Sequence, residues 1–473
     1  MRICTVSNRD ENSSLQPYRE RCDDWYNAFM DTTLLTHIPR QFIGIVALIA
    51  ALLTPLTLIP STAQDRPEPI RIGQSAQGRS IDAYRFGTGT RKFVVVGATH
   101  GAPERNTQQL SWMLIDWYRN HPEEIPSSVR LYIIPVLNPD GDVLNLRQNA
   151  NNVDLNRNMD TTLDACSDND WKTTVYGAGG ILSDTGGAYA DSEPESRVIR
   201  RFLLDASAVV FLHSDAGLVF PPSCEDPVSI AFAQAYAAGA GYQYARFWDK
   251  YSITGGMHDW ARGIDLPAII PELLTGDEPE FDQNLGGMRA VFYNTDVLIP
   301  ALGFRTVNDI PLPLPIWRFW QAYGAEQLGP PLASATVTNG VYFQDFTTAR
   351  VRYDSTAEYD AVRLVPIADY PLQGPPVEVI DPDSIVTNPS TPYTTHDAFA
   401  RYYRRIDGDV LLGTPRSDEI LTQTGVETAS TQRFDMGVIR YDSVSNRIVR
   451  LPVVWQTVTR ENLLATDLPF QLR

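Results

Sequence analysis

The chain has 473 residues, 43% of them hydrophobic, more than one apolar core ordinarily organises, so several folded units are expected. Aromatic residues at 10% and charged residues at 20% are ordinary for globular proteins and exclude a disordered chain. A formal net charge of -18 argues against a nucleic-acid surface, because phosphate binding needs clustered Lys and Arg; the acidity is read as solubility. Near the amino end, Phe42 to Ile59 is an apolar run that follows Arg40 and leads into Pro60-Ser61-Thr62-Ala63, the pattern of a secretory signal. The run is also long enough to span a bilayer, so residues 1–64 are read as a polar leader with a signal peptide or an uncleaved membrane anchor. Translation from Met30 would give the signal a conventional length, with cleavage near Ala63 or Gln64. In either case the body of the protein is expected outside the cytoplasm, secreted or associated with the cell envelope.

From Arg71 to about Gly303, short β-rich apolar runs alternate with helical patterns. Lys92 to Ala98 reads as a buried strand, Thr107 to Arg119 as a helix, Arg130 to Pro135 as a strand, and Glu193 to Leu204 as a helix. Ala208 to Leu212 is a strand, Val228 to Ala240 a helix, Pro267 to Ile270 a strand, and Asp282 to Leu298 one closing helix. This alternation predicts an α/β domain over 65–305, with a mixed, largely parallel central sheet and helices on both faces. Within it Cys166 and Cys224 form the only cysteine pair after the signal; a disulfide and two free thiols both remain open.

The remainder differs in kind. Ile310 to Pro315 alternates proline with apolar residues and is expected to be extended or turn-like. A repeat follows: Gly329 and Pro331 recur as Gly413 and Pro415, Gln344 and Phe346 as Gln432 and Phe434, and Arg352-Tyr353-Asp354 as Arg440-Tyr441-Asp442. Small duplicated α+β units are therefore expected at 306–368 and 396–473, with a proline-rich linker over 369–395. Their Gly-Pro pattern resembles the short repeats appended to bacterial exported hydrolases, which implies contact with the cell envelope.

Histidine is scarce, and of the six only His100, His213 and His258 stand in suggestive places. His100 and His213 each follow directly on a predicted buried strand, and sites in open α/β sheets gather at the carboxyl ends of strands. In Thr99-His100-Gly101-Ala102-Pro103-Glu104, an imidazole and a carboxylate are close enough to occupy adjacent corners of a zinc site, with His213 as the third ligand and one position left open. Two nitrogens and a carboxylate suit zinc better than magnesium or calcium.

The order of these residues resembles the carboxypeptidase A-like family of zinc metallopeptidases. The likeness runs from Ile72-Gly73-Gln74-Ser75 through the His100…Glu104 motif, Asn138-Pro139-Asp140-Gly141, Arg147, Val153-Asp154-Leu155-Asn156-Arg157-Asn158 and His213-Ser214, to Tyr251, Thr254-Gly255-Gly256, Asp259-Trp260 and Pro271-Glu272-Leu273. The resemblance implies one Zn2+ per chain held by His100, Glu104 and His213, with Glu272 as general base. It further implies that Arg147 stabilises the oxyanion, that Asn156 and Arg157 clamp the terminal carboxylate of a peptide substrate, and that Tyr251 closes over it. The commonest family form places Glu three residues after His; here Pro103 lies in a four-residue spacing, an extra residue that a bulge would absorb. His258, with Met257 beside it, stands where relatives place the base of the specificity pocket, and a polar or acidic preference is expected from the imidazole.

These readings predict an exported zinc carboxypeptidase that trims peptides or cell-wall peptides. A zinc amidase or esterase on a non-peptide substrate, and a non-catalytic surface-binding protein working through the repeats, are the alternatives.

Overall fold

Along the strand Arg91–Val96, Phe93 and Val95 belong to one apolar core while Val94 and Val96 belong to another, because successive side chains of a strand point to opposite faces. The same division recurs in Val129–Ile134, where Leu131 and Ile133 face one core and Tyr132 and Ile134 the other, and in Ala208–Phe211. Strands buried on both faces must be covered on both, which is what the near-continuous apolar runs require. The structure, a computed structural model, describes residues 68–453 apart from 368–371, 373, 425–426 and 443–444. The leader, the apolar run and Met30 lie outside the described residues. The chain divides into two units, Met1–Asp65 and Arg66–Arg473, and all described residues fall in the second. No helix among the described residues is long and apolar enough to cross a membrane.

Nine strands among the described residues form one mixed sheet, giving the α/β class that the sequence predicts. In space they run Ile70–Gln74, Ser80–Phe86, Val129–Ile134, Arg91–Val96, Ala208–Phe211, Ala268–Leu273, Leu218–Phe220 and Gln243–Tyr244, with the short His213–Ser214 pairing beside Ala268–Leu273. The four central strands are mutually parallel, and antiparallel pairings flank them. Helices Arg105–Asn120, Pro227–Ala240 and Phe281–Tyr293 cover one face through Leu110, Leu114, Tyr118, Phe232, Tyr236 and Met288. Helices Pro194–Leu203, Met257–Gly263 and Leu314–Tyr323 cover the other through Phe202, Trp260, Ile316 and Phe319. The closing helix, expected to be continuous to Leu298, stops at Tyr293 and resumes at Thr295. The interruption falls at Asn294, which has φ -109° and ψ 29° and turns its side-chain amide back onto Ala290 O at 2.9 Å.

The proline-rich connector is only half extended. Ile310–Pro313 is a strand paired with Phe304–Val307, but Leu314 and Pro315 already open the helix Leu314–Tyr323, since proline fits a first helical turn whose N–H groups have no intrahelical partner. Arg318 anchors this helix to the α/β layer. Fully buried, it donates to Ile264 O at 2.9 Å, Leu204 O at 3.2 Å and Asp265 O at 2.8 Å, and burial pulls its pKa down to about 10. Two four-stranded antiparallel sheets follow, Thr336–Thr338 to Val362–Leu364 and Ile420–Thr424 to Arg447–Arg450. The repeated residues take matching places in them. Gln344 and Gln432 are fully buried and each donates to two main-chain carbonyls, while Phe346 bridges Pro331 as Phe434 bridges Pro415. Between the sheets, Val386–Thr387 pairs with Thr394–Thr395, so part of the stretch read as a linker is a small hairpin.

Candidate active site

The site assembles where the central parallel strands end. His100 follows Arg91–Val96, and His213 follows Ala208–Phe211. Glu272 lies within Ala268–Leu273 and stands in parallel register with His213. The extra residue between His100 and Glu104 is taken up by a turn, not by a bulge: Ala102–Glu104 is a short 3-10 helix with Pro103 in its first turn, leading directly into Arg105–Asn120. Gly101 is required there, because a Cβ would sit 2.2 Å from Leu146 O. The turn buries the Glu104 carboxylate between two imidazoles. Glu104 Oε1 lies 2.6 Å from His100 Nδ1, and Oε2 lies 2.8 Å from His213 Nδ1.

Burial penalises the Glu104 carboxylate, yet the two histidines outweigh it and hold its pKa well below the usual carboxylate range. Burial and the Arg147 charge pull His100 down, but Glu104 and Asp154 overcome both and leave its pKa above the ordinary value. Burial takes His213 down to about 4, so it is neutral at pH 7. The ligand atoms of His100, Glu104 and His213 all lie within 4.8 Å of one another, and all three residues are buried. His100 Nε2 donates to Asp154 Oδ1 at 2.8 Å, which fixes the ring and leaves Nδ1 facing Glu104. Two ring nitrogens and a carboxylate converging on one point, one ring oriented by a buried carboxylate, fit a zinc ion.

Asp154 is the residue whose role sequence reasoning missed. It stood in the quoted Val153 to Asn158 string, but nothing local shows that it reaches both His100 and Arg147. Arg147 donates through Nε to Asp154 Oδ2 at 3.0 Å and through Nη1 to Glu104 Oε1 at 2.7 Å.

A cavity of about 300 Å3 opens over His100, Glu104 and His213, lined also by Arg147, Asn156, Arg157, Tyr251 and Glu272. Arg157 is 2% exposed and donates to the carbonyls of Tyr176 at 2.8 Å and Asn156 at 2.7 Å, and no carboxylate pairs with it among the described residues. Its main chain is held by Gly255, at φ +65°, where a Cβ would meet Arg157 O at 2.3 Å. The Tyr251 ring lies 5.9 Å from the Arg157 guanidinium and packs edge-on against Trp248. Trp248 and Phe220, which no local pattern singled out, also line this cavity. Met257, expected beside the pocket base, lines neither this cavity nor the one next to it: its side chain is fully buried in the apolar core under the sheet, and its N–H donates to Asn156 Oδ1 at 2.9 Å. His258 lines a neighbouring cavity instead of the one above His100, Glu104 and His213.

Burial and the Glu104 charge push Glu272 up to about 8, so in the metal-free site it carries a proton at pH 7. A cation at the triad opposes both causes. Zinc binding at pH 7 is therefore expected to release protons, measurable by calorimetry in buffers of different ionisation enthalpy, and Glu272→Gln is expected to release fewer. Equal release from the two proteins would show that Glu272 does not titrate with the metal.

Residues 56–266 match the zinc carboxypeptidase family, Peptidase_M14. That stretch contains His100, Glu104, Arg147, Asn156, Arg157 and His213, and ends short of Glu272. Carboxypeptidase SOL1 of Arabidopsis thaliana is 42% identical over 73 residues, which are 14% of this chain and 15% of that relative's length. Among solved structures, thrombin activatable fibrinolysis inhibitor aligns at 18% identity and a TM-score of 0.41, covering 50% of this chain and 70% of the other. Carboxypeptidase A from Helicoverpa armigera aligns at 21% identity and 0.39, covering 49% and 69%. Murein-tripeptide amidase MpaA from Escherichia coli O157 aligns at 19% and 0.36, covering 48% and 92%.

Proposed function

We propose that this chain is an exported zinc-dependent carboxypeptidase that releases the C-terminal residue of peptides. The observation that carries this reading is Arg157. A buried guanidinium on the cavity wall, bonded among the described residues only to main-chain carbonyls, is a costly arrangement unless an anion completes it. The planar fork of arginine matches a carboxylate, and the α-carboxylate is what distinguishes the end of a peptide from its interior.

His100, Glu104 and His213 would hold the metal, which in such a donor set polarises a carbonyl oxygen and acidifies a water to a pKa of about 7. Glu272 supplies the proton traffic: it accepts a proton from water as the oxygen adds to the scissile carbonyl carbon, and returns it to the leaving nitrogen as the C–N bond breaks. The products are a free amino acid and a peptide with a new carboxylate. Arg147, held by Asp154 and Glu104, presents fixed positive charge to the developing oxyanion without reorganisation. Tyr251 flanks the Arg157 guanidinium and covers the substrate's terminal group. The Cys166–Cys224 disulfide supports placement in an oxidising compartment, and with it export.

The test is a pair of peptides differing only in a free or amidated C-terminus. Release of the terminal residue from the free peptide, its loss on chelation, its return with zinc, and at least about 100-fold slower cleavage of the amide are expected. Equal cleavage of the two would remove the carboxylate clamp from the reading.

A further inference from the structure

Helix Pro194–Leu203 presents Arg197 and Arg200 one turn apart, and each guanidinium has one arm on Asp191 and the other on the second repeat unit. Arg200 donates through Nη1 to Asp191 Oδ2 at 2.6 Å and through Nη2 to Asp407 Oδ2 at 3.0 Å. Arg197 donates through Nε to Asp191 O at 2.8 Å and through Nη2 to Arg404 O at 2.7 Å. Asp191, Arg200 and Asp407 are each only 5% exposed, and Leu411, four residues beyond Asp407, is buried in the same apolar core as Phe202 and Trp260.

The charges depend on one another. Burial opposes the charge of Arg200, but Tyr323, Asp191 and Asp407 outweigh it and hold its pKa above the ordinary value. Burial raises the pKa of Asp191, and the Arg200 charge opposes that rise. Tyr323 closes the cluster: its hydroxyl donates to Asp407 Oδ2 at 3.3 Å, and its ring lies 4.3 Å from the Arg200 guanidinium. Removing one member of such a buried set leaves the others uncompensated.

Asp191 leads to the site. Its N–H donates to Asn158 O at 2.6 Å, and its Oδ1 accepts from the Asp160 N–H at 3.3 Å, which braces the three residues that follow Arg157. Asn158 is fully buried, and its side chain ties this stretch to Gly186, Ser192 and Glu193. Arg157 itself bonds, among the described residues, only to main-chain carbonyls, so its guanidinium stands where the backbone puts it.

We propose that the second repeat unit is a positioning element of the candidate site: Asp407, acting through Arg200 and Asp191, fixes the backbone that carries Arg157, a role that rests on the carboxypeptidase reading. It gives the repeat a task within the enzyme, distinct from the envelope contact expected of such repeats. The experiment uses the full zinc-loaded protein and the peptide pair with a free or amidated C-terminus. Asp407→Asn keeps the shape and removes the charge. It is expected to raise KM for the free peptide about tenfold with kcat held within about twofold, and to narrow the free-to-amide ratio of kcat/KM about tenfold, because the loss falls on carboxylate binding. Arg85→Ala breaks a different contact between the α/β layer and the repeats, the exposed ion pair with Glu358, and is expected to leave both quantities unchanged. An unchanged KM in Asp407→Asn protein that folds and holds zinc overturns the proposal and leaves the carboxypeptidase standing. So does an equal fall in kcat on both peptides, the mark of general loosening. Absence of chelator-sensitive release from the wild type overturns the carboxypeptidase reading itself. Should Asp407→Asn fail to fold, Arg200→Lys, which keeps the charge and loses the two-armed fork, is read by the same KM criterion. Loss of folding in both variants shows a purely structural ion pair and overturns the proposal.

Discussion

Glu272→Gln is expected to lower kcat on peptides with a free C-terminus by roughly 10²–10⁴-fold, the range typical of a positioned general base. Zinc content should stay at one per chain, because the proposed ligands are His100, Glu104 and His213 and the amide keeps the carboxylate's shape. The reason lies in position. Glu272 stands beside His213 in parallel register at a strand end and lines the cavity over His100, Glu104 and His213, so in the proposed mechanism its carboxylate would meet water and leaving nitrogen in one place. The amide cannot take a proton. The pH profile carries a sign that checks the assignment: burial and the Glu104 charge hold the metal-free Glu272 up to about 8, so activity that needs the carboxylate falls as pH drops through its metal-bound value, which lies lower. A Glu272→Gln protein with full zinc and full activity would sink the mechanism.

Replacing Cys166 and Cys224 together by serine is expected to cost about 4 kcal/mol of stability, from the chain entropy that a bridge across 58 residues removes from the unfolded state. The midpoint of chemical denaturation of the oxidised wild type should exceed that of the double variant, and reductant should bring the two together. Cys166 leads into the turn Ser167–Asn169, and Cys224 follows Ser223; Asn169 and Ser223 both line the cavity beside the candidate site, so the bridge fixes one side of that wall to another. Unchanged denaturation midpoints would show that the bridge contributes nothing.

Much of the fold was legible because it depends on local pattern. Apolar runs such as Lys92–Ala98 and Ala208–Leu212 alternate with amphipathic helices, and a strand buried on both faces is uniformly apolar. Boundaries were less legible where one residue decides them, as Asn294 does in interrupting the closing helix and Pro315 in starting one. The anchoring of Leu314–Tyr323 by Arg318 could not be read at all, since its carbonyl partners at Leu204, Ile264 and Asp265 are distant in sequence. In the site, His100, Glu104, His213 and Glu272 were visible through strand ends and order. Asp154 was visible only as part of a motif, because its role is defined by contacts with His100 and Arg147.

What the sequence determined by itself is the chemistry available: scarce histidines at strand ends, a carboxylate beside one of them, and two arginines and an asparagine in one polar stretch. Residue type and local periodicity suffice for that, because they set ligand chemistry and strand position. Only the tertiary structure decided where these groups point. It closed the Glu104 carboxylate between two imidazoles through a 3-10 turn, buried Met257 in the core, and placed His258 in the wall of a neighbouring cavity with Trp248 and Asn169. Such outcomes depend on packing between segments far apart in the chain, and a local pattern carries no information about which distant atom will become a partner.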